Sequence, residues 1–241
     1  MSTLTYYKAV RPDGTSFHDQ TTRWEVGEVT RHPRGGISLR RVFRAGAENY
    51  LSVSTVPTDC TGFQWPARLL VVEPVEGHPV FRPDPEVLPN KRAATAWRVV
   101  EERPAHELFG PQGEHLVALI ERAARLSADE VERLSAARDA AWDAAKRAAW
   151  DAARLADRDA AWDAAQYAAW DAAKRAARYA ARYAARDAAW ALLVRDIINP
   201  VHYQTLTAPW AQAVGKVHPD DPPALGVITT QRTPRSRRSS Q

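Results

Sequence analysis

The chain has 241 residues, a formal net charge of +4 and a single cysteine, Cys60. A lone cysteine excludes an internal disulfide and a cysteine-based zinc site, and so mild a positive charge does not by itself demand a nucleic-acid partner. No window approaches roughly 18 apolar residues free of charge, so no membrane-spanning helix is expected, and Met1–Lys8 lacks the basic-then-apolar pattern of a signal peptide.

Hydrophobic residues make up 45% of the chain, but much of that share is alanine, which buries little surface. The larger apolar residues concentrate before residue 135 and again over 190–214. The expected fold class is α+β. A small β-rich domain covers residues 1–110 and a long or segmented Ala-rich helical region covers 111–200. A short docking segment follows over 201–217, then a disordered basic tail over 218–241.

Leu4–Val10 is rich in β-formers and predicts a strand. Pro12-Asp13-Gly14 predicts a turn, since proline presets φ and glycine accepts positive φ. Trp24–Val29 predicts a short extended piece bent at Gly27. Tyr50–Val56 alternates apolar with small polar residues, the period of a half-buried strand. Arg68–Pro74 is a nearly continuous apolar run, which suits a central strand buried on both faces. Pro74, Pro79, Pro83, Pro85 and Pro89 then predict an irregular loop, because proline has no N–H for a ladder. Ala96–Glu101 predicts the last strand, and Pro104 and Gly110–Gly113 close the domain.

From Glu114 to Asn199 there is neither glycine nor proline. Leu116, Leu119, Ile120, Ala123, Val131 and Leu134 keep helical spacing. Ser127-Ala-Asp-Glu130 has the pattern of a capping box, which places a kink near residue 127. Uninterrupted, Ser127–Ile198 would form one helix about 105 Å long. Asn199-Pro200 stops it, and Thr207–Val214 predicts a short helix or turn that docks back.

Arg138–Ala189 consists of thirteen quartets of the form x-x-Ala-Ala, with Ala in 25 of 26 slots and Asp157 the exception. Residues 138–157 and 158–177 match at 15 of 20 positions. Four residues overshoot a helical turn by about 40°, so the alanine stripe precesses around the helix. Neither the 3.5-residue nor the roughly 3.67-residue period of supercoiled helices is met. Two solutions remain: a solitary rod held by side-chain pairs, or shorter helices that each use the stripe over a few turns. Trp142, Trp150, Trp162, Trp170 and Trp190 would load a solitary helix with exposed indole, so the tract is expected to pack against itself, a second copy or a partner.

Candidate chemistry is sparse. Lys174, Arg175, Arg178, Arg182 and Arg186 interleave with Tyr179 and Tyr183, a pattern that suits a nucleic-acid backbone, especially beside the Arg-rich tail. Arg11 after the first strand, Ser52 and Ser54 on a strand and Glu101 at a strand end loosely resemble the Arg, Ser-Thr-Ser, Glu order of ADP-ribosyltransferases. In that family the Arg and Ser motif hold NAD and the Glu assists transfer; here the middle motif reads Ser-Val-Ser-Thr. The seven histidines show no metal-ligand spacing, so neither a metal nor a cofactor is expected.

Tyr6-Tyr-Lys-Ala-Val, Trp24-Glu-Val-Gly-Glu-Val, Tyr50 to Cys60 and Arg68 to Glu73 resemble a small module of phage and actinobacterial proteins that is joined to Ala-rich Asp-Ala-Ala-Trp repeats. The resemblance covers roughly residues 4–102 and the style of the repeat. It implies a cytoplasmic setting, in the host cell if phage-encoded, and supplies no catalytic residues. Together these patterns predict a non-enzymatic protein–protein interaction or assembly factor that self-associates or binds a host partner through the repeat. Nucleic-acid binding and an ADP-ribosyltransferase-like head are the alternatives.

Overall fold

The computed structural model describes residues 4–33, 50–60, 62–136, 142–156, 158–172 and 179–222. Six strands form one antiparallel sheet: β1 Tyr6–Val10, β2 Val29–Arg31, β3 Leu51–Ser54, β4 Arg68–Pro74, β5 Lys91–Ala94 and β6 Ala96–Arg103, in the order β2-β6-β4-β1-β3-β5. β4 lies inside the sheet, and adjacent Leu69 and Leu70, which point to opposite faces, are both fully buried. The apolar run of β4 thus has the two covered faces it requires. β5 is the strand that the proline-rich stretch concealed. It follows Pro89 directly and pairs with β3 from Leu51↔Ala94 to Ser54↔Lys91.

One face of the sheet carries a small core of its own, in which Trp24 and Trp97 pack with Val10, Leu70, Val72 and Val99. Both indoles are satisfied: Trp24 Nε1 donates to Ser16 Oγ at 2.8 Å and Trp97 Nε1 to the Leu51 carbonyl at 3.0 Å. Gly14 (φ 83°) makes the turn that brings Trp24 in, donating to Arg11 O and accepting from Trp24 N–H. The other face presents Ala9, Cys60, Phe63, Ala67 and Leu69 to the helices, and these share one hydrophobic core with Leu108, Phe109 and the alanine repeat.

Six α-helices follow among the described residues: α1 Gly113–Ala123, α2 Ala128–Ala136, α3 Trp142–Leu155, α4 Asp159–Ala172, α5 Tyr179–Leu193 and α6 Pro200–Ala213. A 3₁₀ segment, Ala105–Gln112, leads into α1. Gly113 seats that start closely, since a methyl group there would lie 1.8 Å from the His106 carbonyl oxygen. Between α1 and α2 both bonds of a capping box form: Glu130 N–H donates to Ser127 Oγ at 3.3 Å and Ser127 N–H to Glu130 Oε2 at 2.9 Å. Asn199 caps α6 by accepting from Val201 N–H, with Pro200 at its first position. That helix is 14 residues long, longer than the short piece expected from residue 207.

The single rod of about 105 Å does not form. The repeat is cut into α3, α4 and α5 of 14, 14 and 15 residues. Over that length the stripe drifts by about 140°, so each piece still turns one side inward. The fourth slot of the quartet supplies most of that side, joined in α4 and α5 by third-slot Ala164, Ala168, Ala184 and Ala188. Ala149, Ala153, Ala161, Ala165, Ala169, Ala181, Ala185 and Ala189 are all fully buried. Asp157, the intruder in the stripe, lies outside the described residues, but its neighbour Arg158 shows how the first cut is made. Arg158 N–H donates to Ala153 O at 3.0 Å, closing α3, and Arg158 O accepts from Trp162 N–H at 2.8 Å, opening α4. Its guanidinium then donates to Leu193 O at the end of α5 and to both carboxylate oxygens of Asp196, at 2.7 and 2.8 Å.

α4 and α5 are antiparallel neighbours. Trp162 near the start of α4 stacks on Trp190 near the end of α5, with centroids 4.6 Å apart and planes 11° from parallel. At the opposite ends Trp170 meets Tyr183 edge to face at 5.1 Å. Trp162 is 2% exposed and Trp150, edge-on to it at 5.5 Å, is 38% exposed. Replacing Trp162 by Ala is expected to cost about 3–5 kcal/mol, as large-to-small changes in a closed core do. The same change at Trp150 should cost about 1 kcal/mol. Urea unfolding followed by circular dichroism measures both.

Candidate functional site

The residues singled out by sequence are widely separated. Through the pairings Ser54↔Tyr7, Tyr7↔Val71 and Val71↔Glu101, Ser54 and Glu101 stand three strands apart, or about 14 Å at the usual strand spacing. Ser54 is buried and its Oγ accepts from Val56 N–H, whereas Glu101 is exposed beside Arg103. Arg11 lies beyond the far end of β1, 3.9 Å from Asp13. Ser52 borders a small cavity with Tyr7, Lys8 and Lys91 that neither Arg11 nor Glu101 reaches. The Arg–Ser–Glu constellation is not assembled.

Of the basic residues, Lys174, Arg175 and Arg178 lie outside the described residues, as does the Arg-rich tail. Arg182 sits over the Trp170 ring at 4.8 Å. Arg186 sits over Tyr183 and Trp190 at 4.5 and 4.3 Å and pairs with Asp187 at 3.0 Å. Both guanidiniums are therefore engaged within the helical layer. Among the tryptophans, Trp162 and Trp190 belong to the core, and Trp170 and Trp150 border it. Trp142 opens α3, and its side chain is outside the described set.

A different set of residues converges. A cleft of about 380 Å³ opens between α1 and the chain that follows α6. His115, Ala118, Leu119 and Arg122 come from one side of α1, at the spacing that shares a helix face. Trp210 of α6 backs the cleft, and Lys216, Val217, His218 and Pro219 form the other wall. No carboxylate lines it among the described residues. The site is not legible in the sequence because its two histidines are remote in the chain. The only early signal was the face shared by His115 and Arg122.

The turn after α6 is tightly held. Gly215 (φ 128°) reverses the chain. His218 N–H donates to Asp221 Oδ2 at 2.9 Å, and the same oxygen accepts from Tyr203 O–H at 2.9 Å. Asp220 N–H donates to His218 Nδ1 at 3.1 Å, nearer than the Asp220 carboxylate at 3.5 Å. Nδ1 is therefore the acceptor, and the neutral ring carries its proton on Nε2. The His115 ring meets His218 edge to face at 4.2 Å. Arg195 reaches Asp221 at 3.7 Å and Asp220 at 3.9 Å. On the α1 wall Arg122 pairs with Glu130, and within the turn itself Lys216 Nζ donates to Pro219 O at 3.3 Å.

His218 is 7% exposed. Burial, reinforced by Arg195 and His115, holds its pKa below the ordinary 6.5, and Asp220 and Asp221 oppose this only in part. Burial, with the bond to Asp221, pushes the Tyr203 phenol well above its usual range, so it remains a donor. Elsewhere, burial lowers the Lys8 amine to about 8 and raises the Cys60 thiol to about 12. Lys8 nevertheless has internal partners, donating to Ser52 O at 3.1 Å beneath the Trp24 ring. No group of three or more His, Cys, Asp or Glu able to hold a metal occurs among the described residues. No helix among them is long and apolar enough to cross a membrane.

A histidine whose folded pKa lies below its unfolded value stabilises the fold fully above the unfolded value and loses that contribution as pH falls. The urea midpoint is therefore expected to drop between pH 7.5 and 5.5, above the range where paired carboxylates titrate. The drop should be smaller in His218→Gln. An unchanged slope in that variant would assign the effect elsewhere.

No protein-family model, curated protein or solved structure matches the chain.

Proposed function

We propose that this protein is a non-enzymatic binding protein whose ligand is an anion seated in the cleft between α1 and the turn after α6. The supporting observation is the convergence of His115, Arg122, Lys216 and His218 on a space that no carboxylate lines among the described residues. Arg122 is held in place by Glu130, Lys216 is exposed, and His218 is fixed by its own turn. Groups held in position before the ligand arrives lose little freedom on binding. A space of this size also falls in the range of small-molecule sites.

Lys216→Glu isolates the charge, because this side chain is exposed and donates to a neighbouring carbonyl. Isothermal titration with sodium sulfate should show binding to the native chain and a loss of about tenfold or more in Lys216→Glu, or about 1.4 kcal/mol. Equal affinities would end the cleft assignment.

A second reading, self-association through the outer face of the repeat, is favoured by one observation. Tyr167 on α4 is 68% exposed, one turn from the Trp170–Tyr183 contact. On this reading the occupant is a second copy of the chain. Sedimentation should then show a concentration-dependent dimer that Tyr167→Asp abolishes, and a monomer at all concentrations would discard it.

A further inference from the structure

The assignment that follows rests on the anion-binding reading of the cleft and specifies its ligand and its coupling to protons. The charges around the cleft are unequal in what they can offer. Arg122 is largely balanced by Glu130 across the α1–α2 junction. Arg195, behind the turn, is shared between Asp220 and Asp221. Tyr203 is committed as a donor to Asp221. Lys216 donates to a neighbouring carbonyl, Pro219 O, at 3.3 Å. His218, neutral in its present arrangement, is a wall group that can gain a charge.

His218 has a place ready for a second proton. Nδ1 now accepts from Asp220 N–H at 3.1 Å, but the Asp220 carboxylate stands 3.5 Å from the same nitrogen. A proton on Nδ1 would break the bond from Asp220 N–H, and a small turn of the ring toward the exposed Asp220 carboxylate would give that proton an acceptor. Nε2–H stays available to a ligand in the cleft. An anion there favours the charged ring, since an opposite charge within a few ångströms stabilises it. Lys216 and a charged His218 together match two negative charges. The cleft is also larger than one tetrahedral oxyanion needs, and Ala118, Leu119 and Trp210 give it an apolar side.

We propose that the cleft takes a small-molecule phosphate monoester as its dianion and takes up one proton from solvent with it, His218 carrying that proton between the bound phosphate and the Asp220 carboxylate. The balance is simple: a dianion and a proton enter, no covalent bond forms, and the site leaves one net negative charge for Lys216. His115 contributes its ring edge and Arg122 its remaining N–H groups.

Phenyl phosphate is the probe, titrated calorimetrically from pH 7 to 8.5, where it remains dianionic. Two buffers of different ionisation enthalpy report the proton count directly. The expected result is uptake of up to one proton, with affinity falling by as much as tenfold per pH unit. Asp220→Asn, a change at an exposed side chain, should reduce the uptake, and His218→Gln should remove the pH slope. Phenyl sulfate, a monoanion of similar shape, should bind at least tenfold more weakly. Phenyl phosphate binding without proton uptake overturns the coupling and leaves the anion site standing. Phenyl sulfate binding as tightly overturns the dianion assignment. A phosphoserine peptide binding more tightly than phenyl phosphate overturns the small-molecule assignment. Failure of both phenyl phosphate and inorganic sulfate to bind removes the anion site itself, and this inference with it.

Discussion

A helical stripe that advances about 40° every four residues can face a neighbour for only three or four turns. The helical layer is arranged around that limit. α3, α4 and α5 are each about as long as the stripe remains on one side, and the fourth-slot alanines of the quartet are buried in all three, joined by third-slot alanines in α4 and α5. Small side chains let the helices approach closely, and the Trp162–Trp190 stack fills the space where α4 and α5 meet. Arg158 secures the arrangement at one point by ending α3, starting α4 and bonding the end of α5. Repetition in sequence thus produces separate short helices, because the repeat and the helix have different periods.

The alanine layer also sets where a ligand can go. Alanine faces pack too closely to leave large cavities between themselves, and the cleft lies at the margin. There α1 and α6 carry larger side chains, and the chain turns at Gly215. Gly113 brings the start of α1 tightly against the 3₁₀ segment and thereby fixes the helix that carries His115 and Arg122. The opposite wall owes its shape to Asp221, which binds Tyr203, the His218 backbone and Arg195 together. Two unrelated devices, a close backbone approach and a shared carboxylate, hold the two sides of one cleft.

Trp162 and Trp190 help shape the helical layer. Trp162 and Trp190 are consumed inside the layer, with Lys146 and Arg186 over the Trp190 ring at 4.9 and 4.3 Å. Alternation of rings and cations, which by spacing alone suggests an anion-binding strip, here covers aromatic faces with the chain's own charges. The face that stays open, around Tyr167, is narrower than the repeat as a whole and carries acidic neighbours at Asp163 and Asp171.

Local chemistry was legible in the sequence wherever a short segment decides its own conformation. Proline and glycine marked the turn at Gly14, Ser127 and Glu130 marked a helix start, and the apolar run marked β4 as central. Asn199-Pro200 was read as an end, and it is equally the beginning of α6, since a cap serves whichever helix follows it. What the sequence left open depended on partners far along the chain. It could not say which alanines are fully buried, because all have the same propensity and differ only in what lies opposite. Nor could it bring His115 to His218, since their meeting depends on α6 folding back beside α1 and on the carboxylate of Asp221. By itself the sequence determined local propensity, caps and turns, which are local free energies. Tertiary structure alone decided which side faces inward and which charges meet, because burial and electrostatics act between surfaces that the chain brings together only on folding.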